Sequence, residues 1–273
     1  MYVELKSVIV TGASSGIGRA AAIILVESGY RVFGLARNHA KLAELATLLP
    51  LDQYYPIGFD ITKENSFEKI VSDIAEKGQI FGLVNSAGYV EPGAIEDLGM
   101  ASLRTQFETN FFGLVGLTKQ VLPHMMKYKE GRIVNVSSMT GFVSLPLLGA
   151  YCATKYALEA LTDALRMELW SSGIKVVSIN PGVIETNLHS ITAEKVEQYK
   201  NSRFSGAYRK YLLELPGGMP SSVVGEAIMH AITSKKPRHR YLVGSAKEKA
   251  GLMLRSLIPD GLFYSQVARR ISS

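Results

Sequence analysis

The chain of 273 residues is long enough for one α/β domain with a full core, and its 47% apolar and 20% charged content is typical of a globular protein. One cysteine, Cys152, excludes an internal disulfide, and the five histidines lack metal-ligand spacing, so we predict no metal. No apolar stretch could span a membrane and the strand pattern starts almost at once, so we expect a cytoplasmic protein without a signal peptide. The net charge is +6. Residues 235–273 carry +7, and the rest of the chain sums to −1. No recognised module accompanies this charge, so we expect no nucleic-acid partner.

Short apolar runs alternate with helical patterns along the chain. Most runs do not alternate strictly with polar residues, which is typical of strands covered by helices on both faces. Repeated strand–helix–strand units predict a parallel sheet with right-handed crossovers. We therefore predict an α/β fold with a doubly wound parallel sheet, as a single domain over residues 1–273. The predicted strands are Ser7–Val10, Arg31–Leu35, Tyr55–Phe59, Ile80–Val84, Arg132–Val136 and Lys175–Ile179, and the predicted helices are Gly16–Ser28, Ala40–Leu49, Glu64–Glu76, Leu103–Lys127 and Tyr151–Ser171.

The first predicted strand runs into a glycine-rich turn that precedes an apolar helix. Glycines permit a tight turn and the close approach of a phosphate, and the helix N-terminus offers unpaired N–H groups and a positive dipole end. This strand–turn–helix context is that of a dinucleotide-binding loop in a Rossmann-type fold. The residues predicted to bind the cofactor here are Gly12, Ser14, Ser15, Gly16, Ile17 and Gly18.

The end of the second predicted strand indicates which dinucleotide binds. An acidic residue there would bind the ribose 2′-hydroxyl of NAD, whereas an arginine favours the 2′-phosphate of NADP. Ala36 leaves the acidic position empty, and Arg37 offers a planar donor suited to a phosphate. Arg37 could instead be a surface arginine on a turn. We predict NADP(H).

Tyr151 and Lys155 are four residues apart in a predicted helix, so their side chains lie on the same face. A nearby cation favours the charged form of an acid, so we expect Lys155 to lower the pKa of Tyr151. Such a tyrosine can give or take a proton near neutrality. Alone, the pair could also be an ordinary exposed helix face.

Four more motifs accompany the glycine spacing, which is G-x-x-x-G-x-G, and the Tyr151/Lys155 pair. They are Asn85-Ser86-Ala87-Gly88, Thr109-Asn110-Phe111-Phe112-Gly113, Asn135-Val136-Ser137-Ser138 and Pro181-Gly182. With these six motifs the chain, up to about Gly182, resembles the short-chain dehydrogenase/reductase family, in which they occur in the same order. The resemblance implies reversible hydride transfer between NADP(H) and a carbonyl or alcohol.

The resemblance also implies a role for each catalytic residue. Tyr151 would protonate the carbonyl oxygen or deprotonate the alcohol, and Lys155 would lower the tyrosine pKa and bind the nicotinamide ribose. Ser138 would donate a hydrogen bond to the substrate oxygen. Asn110 would hold a water on the proton route, or would otherwise be a satisfied polar residue at a helix kink.

Further cofactor contacts follow from the resemblance. Asp60 would contact the adenine, or would cap a helix, for which Thr62 is a rival. Asn85, Ala87 and Gly88 would lie against the adenine ribose and support the sheet. At the nicotinamide, the segment from Pro181 and Gly182 would supply the Ile184 backbone N–H and the Thr186 hydroxyl, and Thr186 could also be a helix cap.

Residues 184–218 interrupt the strand–helix rhythm with a polar and aromatic composition, and we predict a substrate lid there, or else a peripheral helical hairpin. Its aromatic residues are Tyr199, Phe204, Tyr208 and Tyr211. The loop before Tyr151 is strongly apolar, with Met139, Phe142, Val143, Leu145, Leu147 and Leu148. A pocket lined this way favours a hydrophobic substrate that is steroid-, retinoid- or lipid-like.

Residues 245–273 form a predicted basic helical extension. It looks like that of 17β-hydroxysteroid and retinol dehydrogenase-type members and of acyl-dihydroxyacetone-phosphate reductases. It lacks the short ending of 3-oxoacyl-carrier-protein reductases, which disfavours a 3-oxoacyl-type reductase of fatty-acid metabolism and the tetramer common there; both are kept as alternatives. We predict a homodimer through the helices at 103–127 and 151–171. The extension could touch an anionic membrane peripherally or simply be a solvated face. A non-catalytic cofactor-sensing regulator is a further alternative, which the presence of Ser138, Tyr151 and Lys155 disfavours.

Overall fold

The apolar runs assemble into one parallel sheet. The structure, a computed structural model, describes residues 5–185, 197–210, 217–255 and 257–271. The strands are β1 (Ser7–Thr11), β2 (Arg31–Ala36), β3 (Tyr54–Gly58), β4 (Ile80–Asn85), β5 (Gly131–Val136), β6 (Ile174–Pro181) and β7 (Arg240–Val243). Their order in the described sheet is β3-β2-β1-β4-β5-β6-β7, and every neighbouring pair is parallel.

Helices connect the strands. They are α1 (Gly16–Glu27), α2 (His39–Thr47), α3 (Phe67–Ala75), α4 (Met100–Phe107), α5 (Gly113–Tyr128), α6 (Gly149–Glu168), α7 (Ser205–Tyr208), α8 (Ser221–Thr233), α9 (Ala246–Arg255) and α10 (Asp260–Ile271). Short 3-10 helices occur at Glu64–Ser66 and Met139–Gly141. None of the described helices is both long and apolar enough to cross a membrane.

Successive residues of each strand point to opposite faces, so the sheet has two core layers. Val8 and Val10 of β1 pack in one layer with Leu25 of α1. Ile9, between them, packs in the other layer with Leu114 of α5. All are fully buried or nearly so. Burial on both faces explains the continuous apolar runs, and the predicted doubly wound parallel sheet is confirmed.

The predicted element boundaries hold to within two residues for all six strands. One predicted helix differs, because residues 103–127 are not one regular α-helix. A π-helical turn, Glu108–Phe112, separates α4 from α5. Asn110 lies in that turn, and its side chain bonds outside the helix, which agrees with the kink considered from the sequence. Such π-turns occur often at functional sites.

Two aromatic residues of the predicted lid, Tyr199 and Tyr208, are turned toward the protein body. Tyr199 and Tyr208 stack with ring centroids 4.7 Å apart, and both are buried in a third core cluster with Leu147. The Tyr208 hydroxyl donates to Asp97 at 2.8 Å and accepts from the Ala94 N–H at 2.5 Å. These two rings therefore attach the segment to the fold and do not by themselves define a substrate wall. Tyr211 lies outside the described residues.

Candidate active site

A cavity of about 760 Å³ opens at the carboxyl ends of β1, β2 and β4. The strands that follow β1 in sequence, β2 and β3, lie on one side of it in the sheet, and β4 lies on the other side. The cavity therefore lies at the topological switch point, where open α/β sheets bind ligands. The predicted loop residues line the cavity, with Arg37, Ala87 and Gly88. The loop residues are Gly12, Ser14, Ser15, Gly16, Ile17 and Gly18.

The loop needs its glycines for conformation and for close packing. Gly12 and Gly16 have φ of 72° and 51°, in the left-handed region that L side chains rarely adopt. A Cβ on Gly18 would lie 2.4 Å from the Gly12 carbonyl oxygen. Ser15, the N-cap of α1, makes no side-chain capping bond, and the first turn carries no acidic residue. The N–H groups of this turn are therefore suited to a phosphate.

Sequence reasoning missed the residues that join the loop to β4. The Thr11 hydroxyl donates to the Val84 carbonyl at 3.3 Å and accepts from the N–H groups of Ser86 and Ala87 at 3.0 and 2.9 Å. Thr11 and Ser86 both line the cavity, as does Tyr89. Their position at the carboxyl ends of adjacent strands is the signal that could have identified them.

Arg37 follows β2 and Asp60 lies just after β3, and the two residues have different surroundings. Arg37 is exposed and lines the cavity, and among the described residues it has no hydrogen-bond or ion-pair partner. The Asp60 carboxylate accepts from the Thr62 N–H at 3.0 Å and from its hydroxyl at 2.9 Å. These bonds, with the charges of Arg37 and Lys63, lower the pKa of Asp60 against the opposing effect of burial. Asp60 thus stabilises a turn, and its sequence neighbours Phe59 and Ile61 line the cavity.

Asn85 does not line the cavity with its neighbours. It is buried within β4, and its Nδ2 donates to Thr118 Oγ1 at 3.0 Å and to Asn135 Oδ1 at 2.9 Å. These bonds agree with the sheet support expected for Asn85, and its contact with the adenine ribose stays a prediction. Asn85 still belongs to the strand, and the chain opens toward the cavity from Ser86 onward.

Tyr151, Lys155 and Ser138 meet where α6 packs against the end of β5. Lys155 is buried, its Nζ lies 5.6 Å from the Tyr151 ring centroid and donates to the Val136 carbonyl at 2.9 Å. Burial raises the pKa of Tyr151 to about 12, although its hydrogen bond with Ser138 opposes the rise. The expected net lowering of this pKa is wrong for the structure described, because desolvation of the phenol dominates.

Ser138 links the ends of β5 and β6. Its hydroxyl accepts from the Thr140 N–H at 3.1 Å and donates to the Pro181 carbonyl at 3.3 Å. Ser138 is the N-cap of the short helix Met139–Gly141, in extended conformation. These bonds hold the hydroxyl in place beside Tyr151.

Asn110 holds the chain that follows β4. Its Oδ1 accepts from the Tyr89 N–H at 3.0 Å, and its Nδ2 donates to the Tyr89 carbonyl at 2.9 Å. Nδ2 also lies 3.3 Å from Thr154 Oγ1 on α6. Asn110 is fully buried, so this bonding compensates its desolvation. The π-turn thereby ties residue 89 to the helix that carries Tyr151 and Lys155.

Glu159 is a buried carboxylate that sequence reasoning missed. Glu159 lies four residues after Lys155, as Lys155 lies four residues after Tyr151, so all three are on one face of the helix. This spacing is the signal from which Glu159 could have been identified. Its oxygens accept from Asn180 Nδ2 at 2.7 Å and from Arg240 Nε at 3.2 Å. Burial lowers the pKa of Lys155 to about 8, and the charge of Glu159 opposes that fall.

The segment after β6 completes the site. Pro181 and Gly182 lead to Ile184, which forms a β-bridge with Met219. That bridge uses the N–H groups of Met219 and Glu185, not that of Ile184. Thr186 lies outside the described residues. In the described ranges no cluster of three or more His, Cys, Asp or Glu could hold a metal ion.

Fold and site together define a Rossmann-type, nucleotide-binding α/β protein with a tyrosine–lysine–serine cluster beside the nucleotide cavity. The model of the short chain dehydrogenase family matches residues 6–197. The chain therefore belongs to the short-chain dehydrogenase/reductase family, whose members are oxidoreductases.

Relatives match over nearly the full length. A 3-ketodihydrosphingosine reductase of Bacteroides thetaiotaomicron is 32% identical over 97% of this chain and 96% of its own. An NADPH-dependent 3-dehydrocapnine reductase of Ornithobacterium rhinotracheale is 31% identical over 97% and 98%. The crystal structure of a short-chain dehydrogenase from Streptomyces avermitilis is 33% identical, with a TM-score of 0.80 over 98% of both chains.

Proposed function

We propose that this protein is an NADP(H)-dependent oxidoreductase that interconverts a carbonyl and an alcohol on a hydrophobic, lipid-like substrate. The observation that carries the proposal is the cluster of Tyr151, Ser138 and Lys155, whose lysine lies close to Gly88 in the wall of the cavity at the strand ends: a Cβ on Gly88 would be 3.9 Å from Lys155 Nζ. The bound cofactor supplies the hydride chemistry. The protein's own residues bind, orient and handle the proton.

Tyr151 acts as the general acid in the reduction direction, because its high pKa keeps the phenol protonated at neutral pH. The single O–H of Ser138, which donates to the Pro181 carbonyl in this structure, turns on substrate binding to donate a second hydrogen bond to the substrate oxygen and stabilises the charge that develops there. Lys155 holds the ribose hydroxyls, and its ammonium favours the tyrosinate left after proton transfer. Asn110 fixes residue 89 and the helix that carries the pair, and holds a water on the route by which Tyr151 is reprotonated.

Four segments of the chain bind the cofactor. The α1 N-terminus and its glycine loop bind the pyrophosphate. Arg37 binds the 2′-phosphate, and its lack of a partner among the described residues leaves all its donors available. Ala87 and Gly88 border the adenine ribose, and the segment from Pro181 to Ile184 borders the nicotinamide; Thr186, expected there from the sequence, lies outside the described residues. The relative named as NADPH-dependent supports the same cofactor.

The lipid-like substrate is supported by two relatives and by the loop before α6. The relatives are named for the reduction of 3-ketodihydrosphingosine and 3-dehydrocapnine. In this chain the apolar segment from Met139 to Val143 follows Ser138, and Phe142 and Val143 line a second cavity together with Leu252 and Phe263 of the C-terminal extension. An apolar wall with few polar groups fits an alkyl chain and a single polar reacting group.

A substrate panel followed at 340 nm with NADPH and with NADH tests this function. It should contain a long-chain 3-keto lipid, a 3-oxoacyl thioester, a steroid ketone and retinal. We expect turnover with NADPH and the highest kcat/KM for the long-chain 3-keto lipid. Preference for the thioester would identify the 3-oxoacyl-type alternative. NADPH binding without oxidation by any of the four would favour a cofactor-sensing regulator.

A pH dependence of cofactor binding follows from Lys155 and Glu159. The Lys155 pKa of about 8 means that its ammonium is lost as pH rises through 8, so NADPH affinity should fall there. In Glu159→Gln the carboxylate that raises this pKa is absent, so the fall should begin at lower pH. NADPH titrations from about pH 6 to 9 measure both profiles. A profile that did not move, or moved upward, would contradict the role given to Glu159.

We propose that each chain forms one domain and that two chains associate as a homodimer through α5 and α6. Apolar side chains are exposed on and next to these helices, which is typical of faces that are covered by a partner. They are Phe112, Met126, Tyr156, Met167 and Trp170. Light scattering should give twice the chain mass, and a monomer for Met167→Asp. A wild-type monomer or tetramer would contradict it.

Peripheral contact of this cytoplasmic protein with an anionic membrane is the remaining part of the proposal. α9 and the turn after it expose Met253, Leu254 and Leu257, at 69%, 54% and 77%, within the most basic region of the chain. Apolar and basic groups together favour an anionic lipid surface. Flotation with vesicles containing phosphatidylglycerol should recover the wild type and less of Leu254→Asp, while Leu51→Asp, at a remote exposed leucine, should float normally. Equal flotation of both variants would contradict it.

A further inference from the structure

Glu248 of the C-terminal extension contacts the segment that follows β6. This residue lies in the first turn of α9, and one of its carboxylate oxygens accepts from the Val183 backbone N–H at 2.7 Å. The other oxygen accepts from the Ser245 N–H at 2.8 Å and from its hydroxyl at 2.7 Å. Ser245 Oγ in turn accepts from the Glu248 N–H at 3.2 Å. The carboxylate therefore joins the start of α9 to the segment after β6.

Two glycines make room for this carboxylate. A Cβ on Gly182 would lie 2.3 Å from one Glu248 oxygen, and a Cβ on Gly244 would lie 3.1 Å from the other. Gly182 was assigned from the sequence to a cofactor contact. The structure gives it a second reason, because any side chain there would displace Glu248 from Val183.

Glu248 supplies the one side-chain bond that holds residues 182–185 in the described chain. The other bonds of this segment are between backbone groups: Gly182 N–H to Val243, Met219 N–H to Val183, and Glu185 N–H to Met219. Burial alone would raise the pKa of Glu248, but its bonds with Val183 and Ser245 bring it below the ordinary value. A charged acceptor makes the bond to Val183 stronger than a neutral one would be.

We infer that Glu248 is a positioning residue, through which the C-terminal extension fixes the backbone that borders the nicotinamide end of the bound cofactor. The inference rests on the proposed function, which assigns residues 181–184 to that end. Glu248 touches neither the reacting atoms nor the cavity residues at the phosphate end. It acts by holding Val183, the neighbour of the Ile184 N–H that is proposed to bind the carboxamide.

Binding of two cofactor forms tests the inference without any substrate. The probes are NADPH and 2′-phospho-ADP-ribose, which lacks the nicotinamide. Glu248→Ala should weaken NADPH about ten-fold, which corresponds to about 1.4 kcal/mol, and leave the fragment unchanged. Ser245→Ala is the matched control. It removes the hydroxyl bonds at the start of α9 but keeps the contact with Val183, so the affinity for both probes should stay at the wild-type value.

Equal weakening of both probes by Glu248→Ala, unchanged NADPH affinity, or the same selective loss in Ser245→Ala would overturn the inference. If Glu248→Ala does not fold, Glu248→Gln should show the same selectivity in smaller degree, since an amide offers one acceptor oxygen to donors that two oxygens now serve. A wild type that fails to bind NADPH would instead refute the proposed function, so the two failures are distinguishable.

Discussion

Tyr151→Phe should reduce kcat about 1,000-fold while leaving NADPH affinity close to that of the wild type. The variant removes one oxygen, and with it the proton that the substrate oxygen receives. Burial keeps the pKa of Tyr151 at about 12, so the wild-type phenol is protonated and ready to donate across the neutral range. NADPH titration by fluorescence and initial rates at 340 nm measure the two quantities separately.

Tyr156→Phe is the control for that variant. Tyr156 lies on the same helix and loses the same atom, but it is 42% exposed and does not share the helix face of Tyr151 and Lys155. Its kcat should equal that of the wild type. Residual turnover of a tenth or more in Tyr151→Phe would remove the acid–base role, because general acid catalysis contributes at least about 100-fold.

Arg37→Ala should weaken NADPH about 30-fold and leave NADH binding unchanged. A hydrogen bond to a charged group contributes about 1.5–3 kcal/mol, which corresponds to about a 10- to 150-fold change in affinity. Arg37 lines the cavity and has no partner among the described residues, so little else in the protein should change with it. The separate titrations with NADPH and NADH isolate the 2′-phosphate, the group by which the two cofactors differ.

Lys69→Ala distinguishes a local contact from an effect of net charge. Lys69 is 78% exposed on α3 and pairs with Asp73, so its removal changes the protein charge equally but away from the cavity. NADPH affinity should be unaffected. A comparable loss in Lys69→Ala, or an equal loss for NADH in Arg37→Ala, would show that Arg37 does not read the phosphate.

Elements whose signals are local in the chain were predictable. The strands followed from runs such as Ile80–Val84, because a strand buried on both faces must be apolar throughout. The nucleotide loop followed from Gly12, Gly16 and Gly18, because backbone conformation and close approach demand glycine at fixed spacing. The Tyr151/Lys155 pairing followed from helix geometry alone.

Other properties depend on contacts between distant segments and could not be predicted. The sequence left Asn85 either a ribose contact or sheet support, and its bonding partners Thr118 and Asn135 come from α5 and β5. It left residues 184–218 either a lid or a peripheral hairpin, and the bond of Tyr208 to Asp97 joins that segment to a distant part of the chain. Motif spacing identifies candidate residues. The packing of other elements decides which hydrogen-bond partners each side chain has.

By itself, the sequence determined the class of fold and predicted the cofactor loop and the Tyr151/Lys155 pair, since each of these rests on local periodicity or short-range spacing, whereas Ser138 was predicted only from the resemblance to the family. Only the tertiary structure decided the direction of the Tyr151 pKa, the partnership of Lys155 with Glu159, and the contact of Glu248 with Val183. These depend on burial and on residues as far apart as 183 and 248, and desolvation and long-range hydrogen bonds arise only when the whole chain has packed.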